Sequence, residues 1–373
     1  MDAKSVVQKL LEGTGIQFNG NQPFDIQVHD DRIYRRWLSE TELGLGESYM
    51  DGWWDCDQLD EFFNRVLRAG LEDTIKRNWK AALFILSTQL INRQTKKKSK
   101  EVGRRHYDIG NDLFEKMLDK RLIYSSAYWK HAKTLEEAQE AKLDMICKKL
   151  ELKPGMKVLD IGCGWGGFAK FAAEKYKVEV LGISISKNQI ELGKQLCKGL
   201  PVELRFQDYR EVQGKFDAVL SIGFFEHVGY KNYKTYMKVV DRCLKDDGIS
   251  LIHTIGNNTS VTYVNQWTDK YIFPKGMLPS VAQTAKAAEG IFVIEDLHNF
   301  GPDYDKTLMA WYDRFHKAWP ELKATGKYDE RFYRMWRYFL LSSAGGFRSR
   351  FNQLWQFIFT KPGRDLPVNC RIG

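Results

Sequence analysis

The sequence is poor in cysteine and contains no closely spaced cysteine pair. Its six Cys residues are scattered through 373 positions without a CxxC motif. Zinc sites and redox-active dithiols are usually built on such pairs. The spacing therefore argues against a metal site and favours reduced thiols, as expected for a cytosolic protein.

Long hydrophobic runs are missing as well. The longest helical apolar stretch, Ala81 to Ile91, is far shorter than the ~20 residues that a membrane-spanning helix requires. The first residues, MDAKSVVQKLLEG, carry charges throughout and lack the apolar centre of a signal peptide. We therefore expect a cytoplasmic protein whose membrane role, if it has one, is peripheral and at the inner face.

Aromatic residues and positive charge are, by contrast, plentiful. The chain has 11 Trp, 17 Tyr and 22 Phe, which suits pockets for flat, cationic or hydrocarbon ligands, although a large aromatic core would need the same residues. The formal charge of +9 favours a polyanionic partner, either nucleic acid or an acidic membrane surface. Composition alone does not distinguish these two partners.

Much of that charge lies in one short segment, which also suggests a domain boundary. The segment Arg93–Arg105 contains seven basic residues and a single acid, Glu101. A chain of this length usually forms two domains. We therefore predict an N-terminal domain over residues 1–92, a basic linker over 93–105 and a second domain over 106–373.

The N-terminal region is predicted to be mainly helical. The alternation in Phe24–Val28 predicts a strand. Two later stretches, Leu59–Leu67 and Ile75–Leu90, each place apolar residues on one helical face. Such stripes more often pack into a core than contact lipid, so we interpret both as core helices.

After residue 106 the pattern changes to strands that alternate with helices, which predicts an α/β fold with a doubly wound, mostly parallel sheet. The predicted strands are Lys157–Ile161, Val178–Ser184, Val202–Gln207, Phe216–Ile222, Ile249–Ile255, Ile291–Leu297 and Leu354–Thr360. Two late helices are predicted over Asp303–Trp319 and Asp329–Leu341. A Rossmann-like sheet of seven strands suits a class I methyltransferase better than a six-stranded dehydrogenase.

A glycine-rich turn follows the first of these strands. Gly162, Gly164 and Gly167 match GxGxxG, which by itself fits a dinucleotide site equally well. Two features favour S-adenosylmethionine. Asp160, two residues before the first glycine, can accept hydrogen bonds from the amino-acid end of that cofactor, and residues 182–186 offer no acid for a nicotinamide ribose.

Further cofactor contacts are predicted at the ends of the next strands. Ser184 and Gln189 are candidates for the ribose, since the acid that many methyltransferases use there is missing. Asp208, at the end of the third strand, is a candidate for the adenine amino group, with Tyr209 beside it. A helix cap or a turn is the alternative role of Asp208.

The chain resembles one family closely, the bacterial cyclopropane-fatty-acyl-phospholipid synthases. The matching stretches are HYDIGNDLFEKML at 106–118, YSSAYW at 124–129, VLDIGCGWGG at 158–167, FEHVG at 225–229, HTIG at 253–256, YIFP at 271–274, LPS at 278–280, NFGPDY at 299–304 and LMAWYDR at 308–314. The combination is far more specific than VLDIGCG alone, which marks only the superfamily. Within these stretches Tyr124, Ser125, Trp165 and Gly166 are predicted to contact the cofactor.

The resemblance implies a particular reaction on an unsaturated acyl chain of a membrane phospholipid. An alkene attacks the electrophilic methyl of the sulfonium, leaving a carbocation, and loss of a proton from the new methyl closes a cyclopropane ring. Such a site must supply a base and exclude water, which would otherwise capture the cation. Known members use a bound bicarbonate ion as this base.

The family's bicarbonate ligands correspond to Glu226, His253, Tyr304, Ser126 and the backbone of Ile255. We expect the last four to donate hydrogen bonds to the anion and Glu226 to accept one from its hydroxyl. Taken singly, Glu226 would fit a capping pair, His253 a satisfied core histidine and Tyr304 simple packing. Ser126 departs from the family, which has Cys there; a hydroxyl keeps the hydrogen bond but excludes a covalent thiol mechanism at this position.

The lipid substrate is expected to be reached from the membrane surface. The basic segment can attract an anionic leaflet by ~1 kcal/mol per Lys or Arg, although a solvated linker would look the same. Tyr271, Phe273, Met277 and Leu278 are candidates for an acyl groove or a membrane contact. Known relatives form homodimers, which the resemblance implies here too.

Three rival functions remain to be considered. A sister lipid methyltransferase would give a methyl-branched or hydroxylated product. A nucleic-acid methyltransferase would suit the charge, but none of the nine prolines lies in an [N/D/S]PP[Y/F] or PC motif, so we expect no nucleic-acid partner. A catalytically silent cofactor- or lipid-binding protein is disfavoured by the intact Glu226, His253 and Tyr304.

Overall fold

A computed structural model of the protein describes residues 2–70, 110–263 and 265–372. The predicted helix at 75–90 and the basic segment at 93–105 lie outside the described residues, so both stay predictions. The contacts divide the chain into two compact units. Unit 1 comprises Met1–Met117, Val264–Lys275 and Leu308–Phe351, and unit 2 comprises Leu118–Tyr263, Gly276–Thr307 and Asn352–Gly373.

The units do not follow the linear order of the chain. Three segments of the region 106–373, which the sequence assigned to one catalytic domain, belong to unit 1: the first residues up to Met117, Val264–Lys275 and Leu308–Phe351. The helices of the described residues are α1 Ala3–Leu10, α2 Ile33–Met50, α3 Leu59–Arg68, α4 Asn111–Met117, α5 Leu135–Lys149, α6 Gly167–Tyr176, α7 Lys187–Leu196, α8 Tyr233–Cys243, α9 Gln266–Tyr271, α10 Val281–Ala288, α11 Pro302–Ala324 and α12 Glu330–Arg348. The strands are β1 Gln27–Val28, β2 Trp54–Asp55, β3 Lys157–Ile161, β4 Glu179–Ser184, β5 Val202–Phe206, β6 Phe216–Ile222, β7 Leu244–Asn257, β8 Val293–Asn299 and β9 Asn352–Thr360.

Unit 1 is built around the predicted stripe on α3. Leu59, Phe62 and Phe63 are buried, and the ring centroids of Phe63 and Tyr338 of α12 lie 5.3 Å apart. The two helices approach closely at Gly345, where an added Cβ would lie 2.5 Å from the carbonyl oxygen of Asp60. The core interpretation of this stripe is therefore confirmed.

The predicted strand over Phe24–Val28 is mostly wrong. Only Gln27 and Val28 form a strand, paired with Asp55 and Trp54. The buried carboxylate of Asp25 accepts hydrogen bonds from the backbone amides of Gln17 and Gln22, each at 2.8 Å. These local bonds hold residues 22–25 in a turn, because an Asp side chain competes with strand pairing for nearby amides.

Unit 2 contains the predicted seven-stranded sheet, in the order β5-β4-β3-β6-β7-β9-β8. The first five strands in this order are parallel to one another, whereas β9 runs antiparallel between β7 and β8. Buried side chains cover both faces: Leu159, Phe225 and Tyr236 belong to one cluster, and Val158 and Phe168 to another. The late antiparallel strand confirms the class of sheet that the pattern predicted.

The sheet determines where a site can form. In a parallel sheet the carboxyl ends of neighbouring strands meet at one edge, and loops there bring distant residues together. Ile161, Ser184, Ile222 and His253 all lie at or near such ends. None of the helices in the described parts of the chain is both long and apolar enough to span a membrane.

Candidate active site

The glycine turn joins β3 to α6 and leaves room for a ligand at the end of the sheet. Gly162, Gly164 and Gly166 all have positive φ, a conformation that favours glycine. At Gly162 an added Cβ would also lie 2.6 Å from the Phe224 ring. The amides of Gly162 and Cys163 are held by the Ile183 carbonyl, at 2.9 and 3.0 Å. The turn is thus fixed in a shape that only small residues allow.

A cavity of about 210 Å³ opens beside this turn. It brings together Gly162, Ser184, Asp208 and Tyr209, four of the residues predicted to contact the cofactor. Other lining residues, which the sequence analysis did not single out, are Ile185, Phe224, His227, Val228 and Asn232. Their signal was weak, since aromatic and aliphatic residues after a strand are common in ordinary cores.

The two predicted ribose residues contact each other. The Ser184 hydroxyl donates to Oε1 of Gln189 at 3.3 Å, and the Ser186 side chain caps the helix that carries Gln189. The cap aligns α7 with the end of β4, because it satisfies an amide of the first turn. Ser184, which lines the cavity, therefore forms one polar unit with Gln189.

Asp208 lies in the cavity wall, but its carboxylate already has partners. It accepts hydrogen bonds from the Arg210 guanidinium at 2.6 and 2.9 Å and from the Arg210 backbone amide at 2.9 Å. These bonds to Arg210 hold the pKa of Asp208 below its usual value. The structure thus shows the capping role that the sequence left open, and an adenine contact would have to share the carboxylate with Arg210.

The loop from Tyr124 to Trp129 is fixed from two sides. On one side the Gln139 amide donates to the Ser125 carbonyl, and the Lys142 ammonium donates to the Ser125 hydroxyl, each at 2.9 Å. On the other side Thr307 accepts hydrogen bonds from the Ala127 amide at 3.1 Å and the Trp129 indole at 2.9 Å. Helices α5 and α11 therefore hold the loop that carries Ser125 and Ser126.

Asp160, the last residue but one of β3, lies within the protein interior. Its side chain is buried, and burial raises its pKa, although the positive charge of Lys142 opposes this effect. Burial likewise lowers the pKa of Lys142 against the attraction of Asp119 and Asp160. The carboxylate of Asp160 and the ammonium of Lys142 therefore influence each other in a region of low polarity.

Glu226 follows β6 and His253 lies in β7 beside the last residue of β6, and each presents one polar atom without a partner in the described chain. Oε1 of Glu226 accepts a hydrogen bond from the Ile255 amide at 2.7 Å. Nδ1 of His253 lies 3.3 Å from the side-chain nitrogen of Gln356. Within the described parts of the chain, Oε2 of Glu226 and Nε2 of His253 have no hydrogen-bond partner.

The tautomer and charge of these groups follow from their surroundings. With the Gln356 amide nitrogen as donor to Nδ1, the ring proton of His253 is assigned to Nε2. Burial, helped by the charges of Lys142 and Lys149, holds the pKa of His253 well below its usual value, so the ring is neutral. Burial raises the pKa of Glu226 to about 7, and the Ile255 amide only partly opposes it.

Tyr304 and Ser126 complete the predicted anion set with different surroundings. Tyr304 is buried, and burial and the nearby charge of Glu226 raise its pKa. The Ser126 hydroxyl donates to the Ala127 carbonyl at 3.1 Å. The Ile255 amide is used by Glu226 rather than being free, which differs from the direct anion contact that the sequence analysis expected.

The four predicted lipid-contacting residues separate into two pairs. Tyr271 and Phe273 belong to unit 1, where Tyr271 donates to Glu47 at 2.8 Å and the ring of Phe273 lies 5.7 Å from that of Phe339. Met277 and Leu278 belong to unit 2, where the Met277 amide donates to the Glu226 carbonyl at 2.8 Å. Met277 is therefore joined directly to the site, and a lipid contact of all four stays a prediction.

The sheet order, the glycine turn and the acid near the end of β3 define a class I S-adenosylmethionine-dependent methyltransferase. Solved structures agree with this fold. Coclaurine N-methyltransferase has a TM-score of 0.66 over 85% of this chain and 99% of that chain, at 22% identity. A mycolic acid cyclopropane synthase, CmaA1, solved with SAH and CTAB, has a TM-score of 0.63 at 32% identity, over 69% of this chain and 96% of that chain.

Sequence comparison is more specific. The family described as mycolic acid cyclopropane synthetase matches residues 94–357, well over half of the chain. The cyclopropane-fatty-acyl-phospholipid synthase of Escherichia coli (strain K12) is 54% identical over 356 residues, which cover 95% of this chain and 93% of that protein. A probable fatty acid methyltransferase of Pseudomonas putida is 35% identical over 70% of this chain and 69% of that protein. The chain belongs to the cyclopropane synthetase family.

Proposed function

We propose that the protein transfers the methyl carbon of S-adenosylmethionine to the cis double bond of an unsaturated acyl chain in a phospholipid and closes a cyclopropane ring. The observation that carries this proposal is the buried pair of Glu226 and His253, whose Oε2 and Nε2 atoms lack partners in the described chain. Unpaired polar atoms inside a protein are costly. Such atoms indicate a binding site for a small polar ligand.

The two unpaired atoms require a ligand that both accepts and donates a hydrogen bond. Nε2 of His253 offers a proton to an acceptor, while the carboxylate oxygen of Glu226 accepts one from a donor. Bicarbonate satisfies both, since it has anionic oxygens and a hydroxyl, so the residues present fit the ion that the family resemblance implies. When bound, it supplies a base for the proton that leaves the new methyl group.

The residues of the chain would then act in separate ways. Neutral His253 donates a hydrogen bond without adding positive charge beside a developing carbocation. Glu226 holds the hydroxyl end of the ion and is itself oriented by the Ile255 amide at 2.7 Å. Tyr304 stays a phenol, because its pKa is raised, and is a further donor in the set. Ser126 supports this arrangement through the loop that it shares with Ser125.

Exclusion of water is the second requirement, because water would trap the cation as an alcohol. Ser126, Glu226, His253 and Tyr304 are all buried, and the Phe300 ring lies 5.6 Å from that of His253. This surrounding favours ring closure over hydroxylation.

The cofactor is proposed to bind in the cavity of about 210 Å³ beside the glycine turn. Asp160 and Ser125 take its amino-acid end, Ser184 and Gln189 its ribose, and Tyr209 and Asp208 its base. Trp165, which is buried in the turn, and Tyr124 complete the contacts. The basic segment at 93–105, with Tyr271, Phe273, Met277 and Leu278, is proposed to serve a peripheral membrane contact, and the active form is proposed to be a homodimer.

Mass spectrometry of reacted lipids tests the proposal. Purified full-length protein is incubated with S-adenosylmethionine, bicarbonate and liposomes of cis-unsaturated acidic phospholipid. We expect acyl chains that gain one methylene and lose the olefin, at a rate that falls when bicarbonate is replaced by chloride at equal ionic strength. A methyl-branched or hydroxylated product would contradict ring closure. A rate that does not depend on bicarbonate would contradict the proposed base.

A further inference from the structure

Lys142 of α5 is a buried lysine that the proposed reaction has not used. Its side chain is 0% exposed, which is rare for lysine, because removing a charge from water is costly unless it is paired. The ammonium donates one hydrogen bond, to the Ser125 hydroxyl at 2.9 Å. Among the described residues no carboxylate lies within 4.0 Å of it, so it has no ion-pair partner in that part of the chain.

A second lysine on the same helix shows what full pairing looks like. The side chain of Lys149 is equally buried, and its ammonium contacts Oδ2 of Asp296 at 3.3 Å and Nδ1 of His298 at 3.2 Å. Lys149 thus has an acid of its own. Lys142 instead meets a neutral hydroxyl in the loop proposed to bind the cofactor, so its charged form has capacity for an anionic partner.

The two acids that act on Lys142 electrostatically are Asp119 and Asp160. The carboxylate of Asp119 already accepts hydrogen bonds from the amides of Arg121 and Ile123, each at 2.9 Å. Asp160 lies at the end of β3, directly before the glycine turn. The region therefore holds a buried positive group on the Ser125 side and a buried negative group on the turn side.

The Ser125 hydroxyl has a defined direction in this arrangement. An ammonium group only donates, so the hydroxyl oxygen accepts from Lys142 and keeps its own hydrogen for another acceptor. The Gln139 amide fixes the carbonyl of the same residue at 2.9 Å. The Ser125 hydroxyl therefore keeps a donor for a further acceptor, and the charge of Lys142 strengthens that donor.

We infer that Lys142 is a positioning residue for the amino-acid end of S-adenosylmethionine, acting through Ser125 on the cofactor's carboxylate while Asp160 accepts from its ammonium. The two charges of that end would then face two buried charges of opposite sign. This inference rests on the proposed cofactor site and adds to it the recognition of the zwitterion. It assigns Lys142 no contact with the reacting carbon.

Two ligands distinguish this role from a structural one. S-adenosylhomocysteine has the amino-acid end, whereas 5′-methylthioadenosine shares the adenosine and the sulfur but lacks that end. In the Lys142→Met variant we expect calorimetry to show about 10- to 100-fold weaker binding of S-adenosylhomocysteine, as for loss of a charge-assisted hydrogen bond. Binding of 5′-methylthioadenosine should change by less than about twofold.

Lys149→Met is the matched control, because it removes an equally buried lysine from the same helix. It should lower the melting temperature without altering the ratio of the two affinities. Equal losses for both ligands in Lys142→Met, or no loss for either, would overturn the inference. If Lys142→Met does not fold, Ser125→Ala carries the test, since it removes one hydroxyl and should weaken S-adenosylhomocysteine selectively.

A double-mutant cycle then locates the action of the lysine. If Lys142 works through Ser125, adding Lys142→Met to Ser125→Ala should weaken S-adenosylhomocysteine by no more than about twofold. Additive losses would contradict the route through Ser125. The product assay separates this inference from the proposed function. A wild-type protein that binds S-adenosylhomocysteine but makes no cyclopropane would contradict the proposed function and leave the role of Lys142 standing.

Discussion

Two buried glutamates, one in each unit, have pKa values that are shifted in opposite directions. Glu47 of unit 1 is 8% exposed and Glu226 of unit 2 is 6% exposed. Glu47 accepts hydrogen bonds from Arg36 at 2.6 Å, Lys270 at 2.5 Å and Tyr271 at 2.8 Å. Burial pushes its pKa upward, but Lys270, Tyr271 and Arg36 outweigh burial and lower it. Glu226 has one amide partner, and burial raises its pKa to about 7.

The difference teaches that burial alone does not set the role of an acid. With three polar partners, two of them cationic, a buried carboxylate joins helices and contributes to stability. With one neutral partner and an unpaired oxygen, the charged form of a buried carboxylate is unfavourable, and a bound ligand can stabilise it. Glu47 therefore has a structural role in unit 1, whereas Glu226 has the features of a functional acid.

The largest expected effect comes from removing the charge of Glu226. We expect Glu226→Gln to lower turnover by at least about 100-fold, since acid–base and anion-holding groups contribute at that level, while the Ile255 amide keeps an oxygen acceptor. Glu179→Gln, an exposed acid at the start of β4, should leave turnover unchanged. Lipid mass spectrometry measures both rates. A Glu226→Gln variant that keeps more than a tenth of the activity would remove this residue from the mechanism.

Removing the charge of Glu47 should instead affect folding. Glu47→Gln leaves Arg36 and Lys270 without a buried carboxylate, which typically costs about 3 kcal/mol. Urea-induced unfolding followed by tryptophan fluorescence gives the change in the free energy of unfolding. Glu12→Gln, on the exposed surface, should stay within about 0.5 kcal/mol of wild type. An unchanged unfolding midpoint in Glu47→Gln would mean that the ion pairs offset only their own desolvation.

The pH dependence of stability should differ in sign between the two glutamates. The pKa of Glu226 is raised from 4.5 to about 7, so its favourable contribution is complete below 4.5 and is lost as pH rises through 7. We therefore expect Glu226→Gln to match wild type at pH 4 and to exceed it by about 1–3 kcal/mol at pH 8.

The pKa of Glu47 is lowered, so its contribution is complete above the ordinary glutamate value and is lost as pH falls. The destabilisation by Glu47→Gln should accordingly shrink in acid, the reverse of the trend for Glu226→Gln. Unfolding curves at a series of pH values measure both. Parallel curves for the two variants would contradict the electrostatic contrast between the units.

The smallest effect is expected at Ser126, where the family resemblance implies a Cys. In Ser126→Cys the hydroxyl that donates to the Ala127 carbonyl at 3.1 Å is replaced by a weaker donor, while the Ala127 amide stays bound to Thr307. We expect turnover to change by less than about tenfold, the range of one neutral hydrogen bond. A greater loss would show that the hydroxyl itself is required by the reaction.

Much of unit 2 could be predicted because its signals are local. The strand at Lys157–Ile161 and the glycines after it follow from a short apolar run and from backbone angles that other residues disfavour. The class of sheet and the family followed from the same stretch together with its flanking motifs. In unit 1, the helix at Leu59–Arg68 followed equally from its apolar stripe.

The sequence analysis missed Lys142, although a signal was present. Lys142 is four residues after Ala138 and four before Ile146, both buried on α5, so it lies within the apolar stripe of that helix. Because a lysine usually lies on a solvated face, the sequence analysis did not consider Lys142 as a buried residue. At Asp208 the opposite happened: the predicted residue lines the cavity, but its pairing with Arg210 was not foreseen.

The sequence by itself determined the order of elements, the glycine turn and the family, because these depend on residues close together in the chain. Tertiary structure decided which buried charges are satisfied, because their partners are distant. Glu226 is 29 residues from Ile255, His253 is 103 from Gln356, and Glu47 is 223 from Lys270. Only the folded chain brings such groups within hydrogen-bonding distance, and their charge states follow from which partners they meet there.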